Sequence, residues 1–253
     1  AGNVTVIVDE TADLADAAGK ITASKTFDNA TSCSSENVII VVDEIRDAFL
    51  GELHAAGARL LDAPNSARLK QALFQPGGLN RNMIARDVDR VIEVAGVDIP
   101  DPGNARFLLI EGEGIGSDHP ESGEKLSLVA TLYRASDFDD AKRIAAAVLS
   151  HQGAGHSVGI HTAIDARALV LGEEIPACRV IVNQAHCFAT GGSFDNGMPF
   201  SLSMGCGTWG GNSIDDNFNH RHLLNITKVV RTIPSNEPSL EEIFGGYWKQ
   251  AGK

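Results

Sequence analysis

Basic residues are scarce in this chain of 253 residues. It has 21 Lys and Arg against 33 Asp and Glu, so its formal net charge is -12 at pH 7. No run rich in Lys or Arg interrupts this acidic composition. Because a protein that binds a phosphate backbone needs a basic patch, we expect no nucleic-acid partner.

Long apolar runs are also missing. No stretch of the sequence approaches the roughly 18 consecutive apolar residues of a membrane-spanning helix. The first four residues, Ala-Gly-Asn-Val, contain neither the basic region nor the apolar core of a signal peptide. We therefore expect a protein with no membrane partner and a cytoplasmic location.

Cysteine is rare and dispersed, at positions Cys33, Cys178, Cys187 and Cys206. No two of these residues form a CxxC pair, which argues against a structural zinc site and a disulfide framework. Free thiols in a reducing cytoplasm fit this distribution better. His220 and His222 share a face of an extended segment but have no evident third ligand, so we expect no metal site.

Short apolar runs alternate with helical stripes along the chain. Leu14, Ala17, Ala18 and Ile21 have the spacing of one apolar helix face. The run 38–42 is continuously apolar, as in a strand covered on both faces of a sheet. This alternation predicts an α/β fold with a largely parallel sheet flanked by helices. The predicted strands cover residues 4–8, 38–42, 107–110, 128–132, 158–160, 180–182 and 226–230.

Cys33 stands among small and hydroxyl side chains, directly before the predicted strand 38–42. A thiol at such a turn is exposed and held in place, and backbone N–H groups that point at it lower its pKa. A thiol of this kind is a nucleophile. The alternative is a buried structural cysteine, because Cys is among the most buried residue types.

The pattern Phe27-x-Asn29-x-x-x-Cys33 resembles the catalytic-cysteine signature of the aldehyde dehydrogenase superfamily. The residues on either side of it are more similar to the CoA-acylating branch, which includes the dehydrogenase half of bifunctional acetaldehyde/alcohol dehydrogenases. The resemblance extends in order over nearly the whole chain and matches only the second half of that family's dehydrogenase module. Its other segments are 9–13, 24–29, 33–36, 124–127, 155–157, 180–183 and 205–213.

This resemblance implies an aldehyde dehydrogenase-like catalytic domain that works with NAD or NADP and with coenzyme A as cosubstrate. Cys33 would attack a small aldehyde and carry the acyl group as a thioester, and His156 would assist proton transfer. Glu124 would hold a ribose of the cofactor, and Asn183 would lie near the substrate. The alternatives from the residues alone are a solvated acid at Glu124, a histidine packed at a strand end, and turn chemistry at Asn183.

Two further segments resemble the acylating enzymes that act on sulfoacetaldehyde more than those that act on acetaldehyde. They are residues 191–200, which are rich in Gly and Phe, and residues 241–248 near the end. An anionic substrate needs a cation, and Arg221 is the nearest basic candidate, although a surface arginine is an equal alternative. Acetaldehyde or a semialdehyde are the other substrates that the superfamily implies.

The resemblance also predicts the domain organisation. Residues 1–190 would form the catalytic domain, and residues 191–253 would hold a glycine-rich closing loop, the late strand at 226–230 and a C-terminal helix started by Ser239. The N-terminal cofactor domain of the family is absent from this sequence, so we expect the chain alone to be inactive, and we expect a homo-oligomer. A non-catalytic oligomerisation or interaction module is the alternative.

Overall fold

The computed structural model describes residues 2–252, and these form two compact units. One unit extends to Asn219 and the other begins at His220. The glycine-rich stretch 191–211 therefore belongs to the first unit, whereas the sequence had placed a boundary after residue 190. A loop that packs its backbone into a domain belongs to that domain, whatever its composition suggests.

The first unit is built on one parallel sheet. Within residues 2–252, seven strands form this sheet in the order β3-β6-β7-β2-β1-β8-β9, and each pair of neighbouring strands is parallel. Two short strands, β4 and β5, form a separate antiparallel pair. The strands are β1 Val4–Val8, β2 Glu36–Val42, β3 Ala58–Leu60, β4 Phe74–Gln75, β5 Gly78–Leu79, β6 Phe107–Glu111, β7 Val129–Ala135, β8 Val158–His161 and β9 Val180–Val182.

Helices cover both faces of the sheet, as the continuously apolar strands require. Alternate residues of β1 show this: Val6 and Val8 pack in the same apolar cluster as Ile21, while Ile7 packs with Ile144 on the opposite face. The α/β prediction is therefore confirmed. The helices of this unit are α1 Leu14–Thr26, α2 Arg46–Ala55, α3 Ala63–Leu73, α4 Val88–Ala95, α5 Phe138–His151, α6 Asp165–Glu174 and α7 His186–Thr190.

The second unit contains one regular helix among the described residues, α8 Leu240–Gln250. Ser239 caps it in a capping box with Glu242, as predicted. The strand predicted at residues 226–230 is wrong, since this segment has no strand in the structure and is exposed. A strand needs a neighbour to take up its backbone hydrogen bonds, and apolar composition alone does not supply one. None of the described helices has the length and apolar character to cross a membrane.

Candidate active site

The polar residues singled out in the sequence gather at one edge of the sheet. Cys33 precedes β2, Glu124 precedes β7 and His156 precedes β8. Because these strands are parallel neighbours or near neighbours, their amino ends lie at the same edge. The order of strands therefore brings together three side chains that are far apart in the sequence.

The Cys33 turn has an unusual backbone. Three consecutive residues before it, Asp28, Asn29 and Ala30, have positive φ angles of 48°, 50° and 60°. Asp and Asn tolerate this left-handed region better than most residues, which explains their presence between α1 and β2. The turn places Cys33 with an exposed side chain at the wall of a cavity of about 700 Å³.

Aromatic and hydroxyl side chains line most of that cavity. Phe27 and Phe188 pack edge to face with their ring centroids 5.1 Å apart. Neither Lys nor Arg occurs among the described residues that line it. The wall is thus suited to a small, partly apolar molecule held beside the Cys33 thiol. Its hydroxyl groups come from Ser32, Ser34, Thr190, Ser193 and Ser201.

His156 faces the thiol of Cys33. Its Nε2 lies 3.3 Å from Cys33 Sγ, and the residue is 4% exposed. Burial and, to a smaller extent, the guanidinium of Arg179 together lower the pKa of His156 to about 4. At neutral pH the imidazole is therefore uncharged and available to accept a proton.

The thiol of Cys33 does not have the low pKa that its turn had suggested. Although the side chain is exposed at the cavity wall, partial desolvation there raises its pKa; a hydrogen bond with Ser34 opposes the rise, and the Glu124 carboxylate adds to it. The expectation of a pKa lowered by backbone N–H groups is therefore wrong, because desolvation outweighs the local donors. Cys33 needs a base to become a nucleophile, and His156 is in position to be that base.

Gly2 connects Glu124 to the Cys33 turn. Its backbone N–H donates to Glu124 Oε1 at 2.9 Å. A Cβ at Gly2 would lie 2.3 Å from the carbonyl oxygen of Cys33 and 2.6 Å from its Cβ. No side chain fits in this space, so the close approach requires glycine.

We expect Gly2→Ala to displace the Cys33 turn, with a loss of about 1–3 kcal/mol in the free energy of unfolding. Chemical denaturation measures that loss. Gly51→Ala in α2 is the matched control, because nothing lies within 4 Å of a Cβ there. That change is expected to gain about 0.4–1 kcal/mol by restricting the unfolded chain. Equal effects of the two variants would contradict the packing at Gly2.

A second close backbone approach lies next to His156, between Gly155 and the loop that contains Cys206. Gly155 has a φ of +84°, and a Cβ there would lie 2.0 Å from the carbonyl oxygen of Cys206. The buried Arg179 donates from Nη1 to the carbonyl oxygen of Gly205 at 3.0 Å. The backbone of the glycine-rich loop thus packs against the His156 turn.

Glu124 is half-buried and lines a separate surface cavity of about 280 Å³ with Gly116 and Gly123. Its backbone N–H donates to Gln152 Oε1 at 2.7 Å, which fixes the turn before β7. One carboxylate oxygen is bound by the N–H of Gly2. A carboxylate at the rim of such a cavity fits the hydroxyl donors of a ribose.

The structure does not bring Asn183 to Cys33. Asn183 follows β9 and so lies at the carboxyl edge of the sheet, opposite the amino edge that holds Cys33. Its side chain bonds the backbone of Thr162, accepting at 2.9 Å and donating at 2.8 Å. Contrary to the expectation of a substrate contact, Asn183 forms a turn with a φ of 51°.

Arg221 lies in the second unit, in the turn His220–Leu223. Its role as a sulfonate partner therefore stays a prediction. The sequence missed Ser157 and His186, which extend the hydrogen bonding from His156 into the interior. Nothing in the local sequence marks them, because only the packing of α7 on β8 brings them together.

One group of possible metal ligands is present among the described residues. Side-chain ligand atoms of Glu113, His119 and Glu121 lie within 4.8 Å of one another. Lys70 Nζ is 2.7 Å from Glu113 Oε1 and 3.8 Å from Glu121 Oε1. An ammonium group thus already lies beside both carboxylates.

Comparison with known proteins gives these features a context. No protein-family model matches the chain. Over its full length it is 50% identical to the acylating sulfoacetaldehyde dehydrogenase of Cupriavidus necator and spans 51% of that protein. It is 33% identical to the bifunctional aldehyde-alcohol dehydrogenase of Escherichia coli K12, over 91% of the chain and 26% of that protein.

The fold of the chain also matches that of a solved structure. The acetylating aldehyde dehydrogenase of Geobacillus thermoglucosidasius superposes with a TM-score of 0.85 at 32% identity, over 93% of this chain and 52% of that one. The chain is therefore homologous over its full length to acylating aldehyde dehydrogenases. It spans about half the length of these single-function relatives. It is more similar to the C. necator sulfoacetaldehyde dehydrogenase than to the E. coli enzyme.

Proposed function

We propose that this chain is the catalytic domain of a longer protein that oxidises a small aldehyde to an acyl-CoA with NAD or NADP. Sulfoacetaldehyde is the favoured substrate, and acetaldehyde or a semialdehyde is the alternative. The observation that carries the proposal is the 3.3 Å approach of the neutral His156 Nε2 to Cys33 Sγ at the wall of a cavity.

The first step is attack of Cys33 Sγ on the aldehyde carbon. His156 Nε2 accepts the thiol proton as the carbon–sulfur bond forms, so the sulfur attacks with the electron pair of the former S–H bond. Negative charge then develops on the aldehyde oxygen. The backbone N–H of Cys33 can donate to that oxygen, which lowers the barrier.

Glu124 would hold the cofactor. Its carboxylate lies at the rim of a cavity bordered by glycines, where hydroxyl groups of a ribose can donate to it. The nicotinamide ring, when bound, supplies the acceptor for the hydride that leaves the thiohemiacetal carbon. At this stage the chain keeps that carbon bonded to Cys33 Sγ, while Glu124 would hold the ribose of the cofactor.

His156 has a second task in the transfer of the acyl group. Once it has released the proton taken from Cys33, its uncharged Nε2 can accept a proton from the thiol of CoA. The resulting thiolate attacks the thioester on Cys33, and the acyl group leaves as acyl-CoA while the Cys33 sulfur is freed. One base thus serves two thiols in turn.

The preference for sulfoacetaldehyde is supported by the 50% identity to a protein named for that substrate, against 33% for the aldehyde-alcohol dehydrogenase. The cavity around Cys33 offers several hydroxyl groups but, among the described residues, no cationic side chain. A sulfonate therefore needs a cation from elsewhere, and Arg221 is our candidate.

We expect the longer protein to prefer sulfoacetaldehyde to acetaldehyde and to require CoA for turnover. Arg221→Ala should lower kcat/KM for sulfoacetaldehyde about 10- to 100-fold, the effect of one charge-assisted hydrogen bond, and leave acetaldehyde nearly unchanged. Arg231→Ala in the same unit is the matched control. The measurement is steady-state formation of reduced cofactor with each aldehyde, with and without CoA.

Equal turnover without CoA would contradict the acylating assignment. A preference for acetaldehyde would contradict the choice of substrate. An unchanged substrate ratio in Arg221→Ala would remove this residue from the sulfonate site and leave the rest of the proposal standing.

A further inference from the structure

A line of hydrogen bonds runs from Cys33 through His156 into the protein interior. His156 Nδ1 lies 2.7 Å from Ser157 Oγ, which in turn lies 2.7 Å from His186 Nε2. Ser157 and His186 are 0% and 1% exposed. Because His186 begins α7 and Ser157 directly precedes β8, the line exists only in the folded protein.

The far end of this line is an unpartnered ring nitrogen. His186 Nδ1 has no hydrogen-bond partner among the described residues. It faces the backbone of Gly159, where a Cβ would lie only 2.9 Å away. A buried polar atom without a partner destabilises the fold. The unpartnered Nδ1 of His186 therefore needs an explanation, and a functional role of the His186 imidazole provides one.

We propose that Ser157 and His186 are positioning residues that hold His156 in the tautomer protonated on Nδ1. In this arrangement His156 Nδ1–H donates to Ser157 Oγ, and the Ser157 hydroxyl donates to His186 Nε2. His186 then carries its own proton on Nδ1. The inference rests on the proposed function, in which the Nε2 lone pair of His156 accepts the proton of Cys33.

The reversed arrangement does not suit a thiol. It would place a proton on His156 Nε2, facing the S–H group of Cys33, and sulfur is only a weak hydrogen-bond acceptor. Burial raises the pKa of Cys33, so the S–H form prevails at neutral pH. A lone pair on Nε2 is therefore the complementary partner.

The proton movement stays local. When Cys33 reacts, its Sγ–H bond breaks, an Nε2–H bond forms on His156, and the electron pair remains on sulfur. Burial holds the pKa of His186 well below its usual value, so His186 stays uncharged and takes up no proton. Ser157 and His186 thus orient the base without adding a negative charge beside it.

Several charged or titratable groups surround this line, and all of them remain unchanged in the test variants. They are Glu124 and Cys206 around Cys33, Arg179 beside both histidines, and His161 beside His186. A change in pH dependence caused by loss of the Ser157 hydroxyl or the His186 ring is therefore attributable to the tautomer of His156.

The test is the rate at which iodoacetamide alkylates Cys33 in this chain, followed by peptide mapping across pH. In the wild type, His156 assists the S–H form, so we expect a rate that is nearly independent of pH between about pH 6 and pH 8. Ser157→Ala and His186→Leu should each lower that rate about tenfold, as expected for one lost buried hydrogen bond. Their remaining reaction should rise with pH, as thiolate chemistry does.

His186→Gln is the conservative variant, because its amide oxygen can accept from the Ser157 hydroxyl; it should restore most of the pH-independent rate. Ser157→Ala, which removes a single oxygen atom, decides the matter if His186→Leu does not fold. Wild-type rates and pH profiles in Ser157→Ala would overturn the inference while His156→Ala still slows Cys33. An unchanged rate in His156→Ala would instead overturn the base role in the proposed function, and the inference with it.

Discussion

Cys33→Ala is expected to abolish acyl-CoA formation by the longer protein, with a loss of about 10⁴-fold or more in kcat. The reason is that in the proposed reaction the acyl group is carried on Cys33 Sγ, which lies 3.3 Å from His156 Nε2. Cys187 lines the same cavity, but burial raises its pKa to about 11, so its thiol stays protonated at neutral pH. In Cys33→Ala the aldehyde carbon therefore has no activated sulfur to which it can bond.

Cys187→Ala is the matched control for this prediction. It removes a thiol from the same cavity and leaves the Cys33–His156 contact intact. We expect kcat within about threefold of the wild type, the range of an ordinary local packing change. If Cys187→Ala were inactive and Cys33→Ala active, the nucleophile would have been assigned to the wrong residue.

His156→Ala is expected to lower kcat about 10²- to 10⁴-fold, which is the usual contribution of a positioned general base. Its pH dependence should also change. The wild-type base has a pKa lowered to about 4, so it is uncharged above that pH and loses function only as the pH falls through 4. Without it, turnover depends on thiolate formation at Cys33, whose pKa is raised, and so should increase as the pH rises.

His161→Ala is the control for the loss of a buried imidazole. The pKa of His161 is likewise lowered to about 4 by burial, but the residue ends β8 at the opposite edge of the sheet. It should therefore affect stability without changing the shape of the pH–rate profile. A profile in His156→Ala that is as flat as the wild type would contradict the role of His156 as the base for Cys33.

The sheet could be predicted from the sequence because its strands are apolar enough to be recognised locally. The predicted limits of β1 and β9 agree with the structure, and those of β2, β6, β7 and β8 differ by a few residues. The short strand β3 was missed, since Arg59 interrupts its apolar character. The false strand at 226–230 shows the opposite error: its composition is right, but no neighbouring strand pairs with it.

Only part of the candidate site could be anticipated from the sequence, and its electrostatics could not. The resemblance identified Cys33, Glu124 and His156, and the parallel order of the sheet brings their turns to one edge. The direction of the pKa shift at Cys33 was not predictable, because it depends on burial by segments remote in sequence. For the same reason the hydrogen bonds of Ser157 and His186 became visible only in the fold.

The central claim is that Cys33 carries the acyl group as a thioester. Its most direct test is mass spectrometry of the longer protein after incubation with acetyl-CoA, in which the last step runs backward and loads the nucleophile. We expect one acetyl group, mapped to the Cys33 peptide, removed by added CoA and absent in Cys33→Ala. Acetylation confined to Cys178, Cys187 or Cys206, or no acetylation of Cys33 by an active protein, would contradict the claim.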